Sequence, residues 1–175
     1  MLRLSVLTLL IQKGSGCVHN LNPISSLGNT EQISKEVGPY TISEVTAYSL
    51  ASYSLRKGSE NDAKKKLEQF TGSSLPDVMK SNFGKISSFW IGPSQWLIEA
   101  PIEIHEDLAS KLSEVSVGKA SVTEQTDAWC RFDLKGSELA TPLSLLCNVD
   151  VASFKGGEVT RCQMDHLGCF LICRD

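Results

Sequence analysis

Four potential metal ligands lie close together near the end of the sequence: Cys162, His166, Cys169 and Cys173. Three cysteines and one histidine can bind zinc, although such ligands usually lie on tight turns. Cys169 and Cys173 instead flank an apolar run, FLI, which is typical of a buried strand. Four residues along a strand span about 13 Å, which is too far for one tetrahedral ion. We therefore predict core thiols beside a partly exposed histidine, with a small zinc module as an alternative.

A second segment begins like the nucleophile elbow of hydrolases. In Gly92-Pro93-Ser94-Gln95-Trp96, the tryptophan stands where the elbow needs a second glycine for its sharp turn. Proline presets the backbone of the first central position of a turn, so this segment favours a β-hairpin turn. The histidines available as a general base are His19, His105 and His166. The segment thus predicts a hairpin more strongly than a hydrolase site.

Carboxylates around residue 125 give a third possibility, which is folate binding. Glu124 or Asp127 could hold a pterin, with Trp129 lining its pocket. In the alternative interpretation, Asp127 is a turn residue and Trp129 is an interface or surface-groove aromatic. Nucleotide binding is not indicated, because the sequence contains neither G-x-G-x-x-G nor a P-loop pattern.

The predicted secondary structure alternates helices with pairs of strands. Apolar alternation predicts strands at 42–45, 50–55, 85–91, 96–100, 121–124, 128–134, 159–164 and 167–173. Helical periodicity and capping residues predict helices from 59 or 61 to 70, from 103 to 115, and from 137 or 141 to 146. This order favours an α+β fold with helices packed on mainly antiparallel sheets.

Apolar spacing also predicts which residues are buried. In the second helix, Ile104, Leu108, Leu112 and Val115 recur at helical intervals and form one apolar stripe. Four cysteines lie among apolar residues, where a free thiol behaves as a small hydrophobe; they are Cys130, Cys147, Cys169 and Cys173.

We divide the chain into an N-terminal arm at 1–39, a first α+β half at 40–118 and a second half at 119–175 that ends short. Residues 12–39 are rich in glycine, serine, asparagine and proline, which indicates irregular structure. Residues 4–11 weakly resemble the apolar part of a signal peptide, but Lys13 lies where cleavage would have to occur. We interpret the N-terminus as an arm.

Composition excludes several classes of protein. The 175 residues are 41% hydrophobic and 21% charged, with a formal net charge of −3, so neither nucleic acid nor an anionic membrane surface is a favoured partner. No apolar run approaches the roughly 18 residues that cross a bilayer. Six cysteines without a convincing export signal indicate a reducing, cytoplasmic location.

Several segments together resemble the gamma subunit of heterotetrameric sarcosine oxidases. The similar stretches are FWIGPSQWL at 89–97, HEDLA at 105–109, SVTEQTDAWCRFDL at 121–134, LCNVD at 146–150 and HLGCFL at 166–171. They occur in the order and at about the spacing of that family. The resemblance implies a fold similar to the folate-binding domain of the glycine-cleavage T-protein.

The resemblance also implies a function that depends on other chains. Such a complex oxidatively demethylates sarcosine to glycine and yields hydrogen peroxide, with formaldehyde or methylenetetrahydrofolate as the one-carbon product. FAD, FMN, NAD, zinc and tetrahydrofolate are implied for the alpha, beta and delta subunits, and no cofactor or catalytic residue is implied for this chain. The main partner implied is alpha. A stand-alone folate-binding enzyme of the T-protein type remains the alternative.

Aromatic residues are enriched in the cores of protein interfaces. For a noncatalytic subunit, we therefore expect the contact surface to include some of five residues: Trp90, Trp96, Asp127, Trp129 and Arg131. By strand alternation, Trp90 could equally belong to the core.

Overall fold

A computed structural model describes residues 24–174. The N-terminal residues 1–23, with the signal-like segment, Cys17 and His19, lie outside the described residues, as does Asp175. The chain divides into a short unit through Gln32 and a main unit that begins at Ile33. The described part of the short unit contains a turn, in which the amide of Gly28 donates to the carbonyl of Ser25 at 2.8 Å.

The main unit contains both strands and α-helices, as an α+β fold does. The strands are β1 (Ser34–Val37), β2 (Tyr40–Val45), β3 (Tyr48–Leu55), β4 (Ser81–Asn82), β5 (Ser87–Gly92), β6 (Gln95–Pro101), β7 (Ala120–Glu124), β8 (Arg131–Gly136), β9 (Val159–Met164) and β10 (Leu167–Ile172). The helices are α1 (Glu60–Thr71), α2 (Ile102–His105), α3 (Leu108–Ser116) and α4 (Ala140–Leu146).

The strands form three antiparallel sheets. The largest has the order β4-β5-β6-β3-β7, a second has the order β1-β2-β8, and β9 pairs with β10. The predicted α+β architecture with mainly antiparallel sheets is confirmed. The predicted division into an arm and two halves stays a prediction.

The main core lies between one face of the large sheet and helices α1 and α3. Strands β3 and β6 contribute alternate side chains to it, because successive residues of a strand point to opposite faces. The fully buried members are Ala51, Tyr53, Ala63, Leu67, Ile98, Ala100, Leu108 and Leu112. The Tyr53 hydroxyl donates to the carbonyl of Ala63 at 3.1 Å and accepts from Ser116 at 3.0 Å. Burial raises the pKa of Tyr53, so this hydroxyl stays protonated and links both helices to the sheet.

A second apolar cluster covers the other face of the large sheet. It consists of Leu50, Phe89, Leu97 and Val159, with Ile91, Phe170 and Ile172 packed against it. Because β3, β5 and β6 are covered on both faces, most of their side chains are buried. Any charged residue in β6 therefore needs a partner inside the protein.

Most predicted elements are confirmed, and their ends follow local chemistry. The first helix ends at Thr71 and is followed by Gly72, which adopts the left-handed conformation with φ of 74° that favours glycine. The hairpin predicted around Pro93 joins β5 to β6. The final two strands also pair as an antiparallel hairpin.

Three expectations from the sequence are wrong. The predicted irregular segment 12–39 contains β1, which pairs with β2 across a turn at Gly38. The second predicted helix is divided between α2 and α3, so Ile104 is 61% exposed and lies outside the apolar stripe. Cys130 is exposed and precedes β8, which begins at Arg131, and Phe132 and Leu134 at the same alternation within β8 are exposed as well. Among residues 24–174, no helix has the length and apolarity needed to cross a membrane.

Candidate functional site

The most unusual side chain of the main unit is Glu99, a carboxylate inside an apolar strand. It is 3% exposed and follows Leu97 on the same face of β6. An isolated carboxylate at such a position would lose its hydration at a large cost in free energy. Two guanidinium groups compensate this cost. Arg131 Nη1 donates to Glu99 Oε2 at 2.7 Å, and Arg174 Nη2 donates to Oε1 at 2.8 Å.

Arg131 connects this carboxylate to a second one. It is the first residue of β8, and it donates to both carboxylate oxygens of Asp133, at 3.0 and 3.1 Å. Its guanidinium also lies over the Tyr48 ring, 4.8 Å from the centroid. Although burial alone lowers the pKa of Arg131, the hydrogen bonds and charges of Asp133 and Glu99 raise it overall. The guanidinium therefore stays charged.

Arg174 brings the end of the described chain to the same place. Its guanidinium lies over Phe83 and Phe89, 4.9 and 5.5 Å from the ring centroids. Glu99, Arg131, Asp133 and Arg174 together form what we call the Glu99 cluster. Both oxygens of its central carboxylate accept hydrogen bonds from protein groups, which suits a structural anchor better than a proton-transfer group.

Two of the predicted interface residues belong to the interior. Trp96 is 5% exposed in the main core, and its indole N–H donates to the carbonyl of Pro76 at 3.1 Å. Arg131 is directed into the Glu99 cluster. We therefore remove both from the interface candidates, because their polar groups are already satisfied within the chain. Trp90 is half-buried and packs against the main core.

The other two interface candidates lie on the surface. Trp129 is 38% exposed, donates from Nε1 to Gln125 Oε1 at 3.2 Å and makes an edge contact with Phe170, 5.5 Å between centroids. Asp127 is exposed in a short 3-10 turn, Thr126–Ala128. Both remain available to a partner.

The residues considered for folate binding have local structural contacts. Glu124 Oε1 accepts hydrogen bonds from the amides of Gln125 and Thr126, at 3.1 and 3.0 Å, and from the Thr126 hydroxyl. This carboxylate caps the turn that holds Asp127. Folate binding by these residues stays a prediction.

Of the four residues of the zinc pattern, the structure pairs Cys162 with Cys169 and places Cys173 and His166 at other positions of the hairpin. Cys162 and Cys169 are opposite each other on β9 and β10, whereas Cys173 follows the end of β10. His166 lies in the turn between the two strands with φ of 72°. Within the described ranges, no three histidine, cysteine, aspartate or glutamate side chains are arranged to hold a metal ion.

Two surface clefts were candidates for a ligand site. One, about 400 Å³, lies beside the end of α1 and is lined by Lys65, Glu68, Gln69, Gly72, Ser73 and Ser74. The other, about 320 Å³, is lined by Ala140, Thr141, Ser144, Val149, Asp150, Val151 and Ala152. Neither contains a histidine or a cysteine, and Ser94, considered as a nucleophile, lies instead in the β5–β6 turn.

The carboxylate of Glu158 is a group through which acid should lower the stability of the main unit. Its carboxylate accepts from Lys80 at 2.8 Å and from the amides of Lys155 and Gly156, at 3.0 and 2.8 Å. The hydrogen bond from Lys80 contributes most to lowering the pKa of Glu158 to about 2, from 4.5. Because the pKa of Glu158 is lower in the folded state, the ionised carboxylate stabilises the fold at pH values above 4.5, the pKa in the unfolded state. This stabilisation is lost as the pH falls from 4.5 to about 2.

We therefore expect Glu158→Gln to destabilise the protein near neutral pH and to make stability less sensitive to acid. The difference in urea midpoint between wild type and variant should shrink as the pH falls through that range. Glu36→Gln, which removes an exposed carboxylate from β1, is the matched control. A constant difference between Glu158→Gln and wild type from pH 7 to pH 2 would contradict this assignment.

No protein-family model and no curated protein matches the chain. A solved structure does: a chain of the heterotetrameric sarcosine oxidase from Corynebacterium sp. U-96, determined in complex with pyrrole 2-carboxylate. The similarity has a TM-score of 0.69 and covers 79% of this chain and 73% of that chain, at 19% sequence identity. The two chains share a fold.

One surface of the main unit carries several exposed apolar side chains. Strand register places Val37, Ile42, Phe132 and Leu134 on one face of the β1-β2-β8 sheet, with Ile42 directly opposite Leu134. Each of these side chains is between 36% and 48% exposed. We call this surface the open sheet face. Adjacent exposed apolar residues of this kind are typical of a surface that another protein covers.

Proposed function

We propose that this chain is the gamma-type subunit of a heterotetrameric sarcosine oxidase and that its role in the complex is structural. The observation that carries the proposal is the fold shared with a chain of such an enzyme over 79% of the sequence. In this proposal, the complex demethylates sarcosine oxidatively to glycine, and the reacting groups belong to the other subunits.

The distribution of charge and apolar surface supports a structural role. The buried carboxylate of Glu99 is held by two arginines in an internal anchor. The two clefts lack histidine and cysteine. The open sheet face, in contrast, offers apolar area that binding would remove from water, at about 25 cal/mol per Å². The contacts of Glu99 are thus internal, while the open sheet face is available to a partner.

The partner that we propose for the open sheet face is the large alpha subunit. A sheet face with four exposed apolar side chains suits a permanent interface, because such interfaces are more apolar than transient ones. FAD, FMN, NAD, zinc and tetrahydrofolate are proposed for the partner subunits. Trp129 and Asp127 are the remaining candidates for further contacts.

Co-expression with affinity-tagged alpha subunit tests this proposal. We expect the wild-type chain to co-purify in near-stoichiometric amount. Ile42→Ser combined with Leu134→Ser changes an opposed pair on the open sheet face, and we expect it to reduce recovery at least about tenfold, which corresponds to roughly 1.4 kcal/mol. Ile104→Ser, at an exposed position on α2, is the matched control and should co-purify like wild type.

Circular dichroism of each variant separates lost binding from lost folding. Equal recovery of the double variant and wild type would reject the open sheet face as the contact surface. A stoichiometric flavin, sarcosine oxidation or tight binding of tetrahydrofolate by the isolated chain would reject the structural role itself.

A further inference from the structure

The hairpin of β9 and β10 places two cysteines in a geometry that suits a disulfide. Cys162 and Cys169 are direct partners in the antiparallel register, so their side chains are on the same face of the hairpin. Both are free thiols and both are partly exposed. This pairing is independent of the proposed function, because it depends on the register of the hairpin alone.

The turn fixes which kind of antiparallel pair the two cysteines form. Asp165 and His166 both have positive φ, 43° and 72°, which is typical of the two-residue type I′ turn. Such a turn is closed by a hydrogen bond between Met164 and Leu167, and hydrogen-bonded and non-hydrogen-bonded pairs then alternate along the strands. Two positions further from the turn, Cys162 and Cys169 therefore form a hydrogen-bonded pair.

The Cα separation expected for this pair lies within the range that disulfides span. The Cα atoms of a hydrogen-bonded antiparallel pair are about 5.5 Å apart. Disulfides span Cα separations of about 4.4 to 6.8 Å, with the commonest values near 5.5 to 6 Å. The Cys169 thiol now donates to the carbonyl of Leu167 at 3.3 Å, so formation of the bond requires rotation of this side chain and no change of strand register.

We propose that Cys162 and Cys169 form a reversible disulfide when the chain meets a small-molecule disulfide such as oxidised glutathione. The Cys169 thiolate attacks one sulfur of glutathione disulfide, and the first glutathione leaves as its thiolate. The Cys162 sulfur then displaces the second glutathione and loses its proton to solvent. One protein disulfide forms, and one glutathione disulfide is reduced to two molecules of glutathione.

The order of the two steps follows from the surroundings of each thiol. Burial, with the neighbouring Cys147 and Cys169 thiols, raises the pKa of Cys162 to about 11. Since the thiolate is the attacking species, Cys162 is a poor first nucleophile. It becomes effective only against a mixed disulfide placed next to it on Cys169. The Cys147 thiol also contacts Cys162 but is buried and donates to the carbonyl of Leu143 at 3.4 Å.

The test is equilibration of the full-length chain in glutathione redox buffers, followed by alkylation and mass spectrometry. A Cys17→Ser/Cys130→Ser background removes the thiol outside the described residues and the exposed one. We expect the oxidised protein to lose two hydrogen atoms. Cleavage after Met164 then separates Cys162 from Cys169 in the sequence, yet the two fragments should remain joined until a reductant is added.

Single variants distinguish the proposed pair and the order of steps. We expect Cys162→Ser to stop at a glutathione adduct on Cys169, Cys169→Ser to form no bridge, and Cys147→Ser to form the bridge as the parent does. A bridge that contains Cys147 or Cys173 would overturn the proposal. The proposal would also be overturned if the thiols of Cys162 and Cys169 both remained fully alkylatable in a buffer that oxidises added dithiothreitol completely.

Discussion

Trp96→Ala is expected to lower the free energy of unfolding by about 3–5 kcal/mol, the usual cost of truncating a large buried aromatic residue. The indole is 5% exposed and packs in the main core with Ile98 and Leu67. Its removal also leaves the carbonyl of Pro76 without the hydrogen bond that it accepts from Nε1. Urea unfolding followed by circular dichroism measures the loss.

Two further variants separate packing from hydrogen bonding and core from surface. Trp96→Phe keeps an aromatic ring but removes the donor, so we expect an intermediate loss, about 1–3 kcal/mol of it from the unpaired carbonyl. Trp129→Ala is the matched control, because this tryptophan is 38% exposed, and it should cost less than Trp96→Ala by at least about 2 kcal/mol. Similar losses for Trp96→Ala and Trp129→Ala would contradict the core assignment.

Trp96 is buried and Trp129 is exposed, although the sequence made both of them interface candidates. The two residues illustrate which parts of the fold can be predicted from sequence. Local signals were sufficient for α1, which is followed by Gly72, and for the hairpins β5–β6 and β9–β10, because turns and helix ends depend on residues close in sequence. In contrast, β1 has four exposed residues, SKEV, and carries no apolar alternation. Its pairing with β2 depends on the turn at Gly38.

The internal anchor was harder to predict because its members are distant in sequence. Arg131 is 32 residues from Glu99, and Arg174 is 75 residues from it. One local signal was present: a glutamate inside the apolar run Trp96-Leu97-Ile98-Glu99-Ala100 indicates a buried, paired carboxylate, since such a residue is seldom buried alone. Its partners follow only from the tertiary fold, in which β6, β8 and the C-terminal segment meet.

Arg131→Met should destabilise the protein by about 3–5 kcal/mol, because it removes one partner of a buried ion pair and leaves the other charge buried. Glu99 would retain Arg174 alone, and Asp133 would lose both of its hydrogen bonds to the guanidinium. Methionine preserves much of the side-chain volume, so the loss reports on charge more than on packing. Urea unfolding at neutral pH measures it.

Lys111→Met provides the matched control for this substitution. Lys111 pairs with Asp107 at 2.9 Å on the surface of α3, where both side chains are more than one third exposed. Exposed ion pairs contribute at most about 1 kcal/mol, because water solvates both charges. A loss of 3 kcal/mol or more for Lys111→Met would show that the substitution itself, and not the buried carboxylate, causes the effect.

The cause of the lost stability in Arg131→Met can be identified by removing the Glu99 carboxylate as well. Adding Glu99→Leu to Arg131→Met takes away the buried carboxylate, and we expect stability to recover by at least about 1 kcal/mol, because an apolar side chain suits this site once its charged partner is gone. Asp133 and Arg174, both about one third exposed, can then turn to water. A further loss of stability in the double variant would mean that the Glu99 side chain contributes through packing, whereas recovery would assign the cost to the buried carboxylate that has lost Arg131.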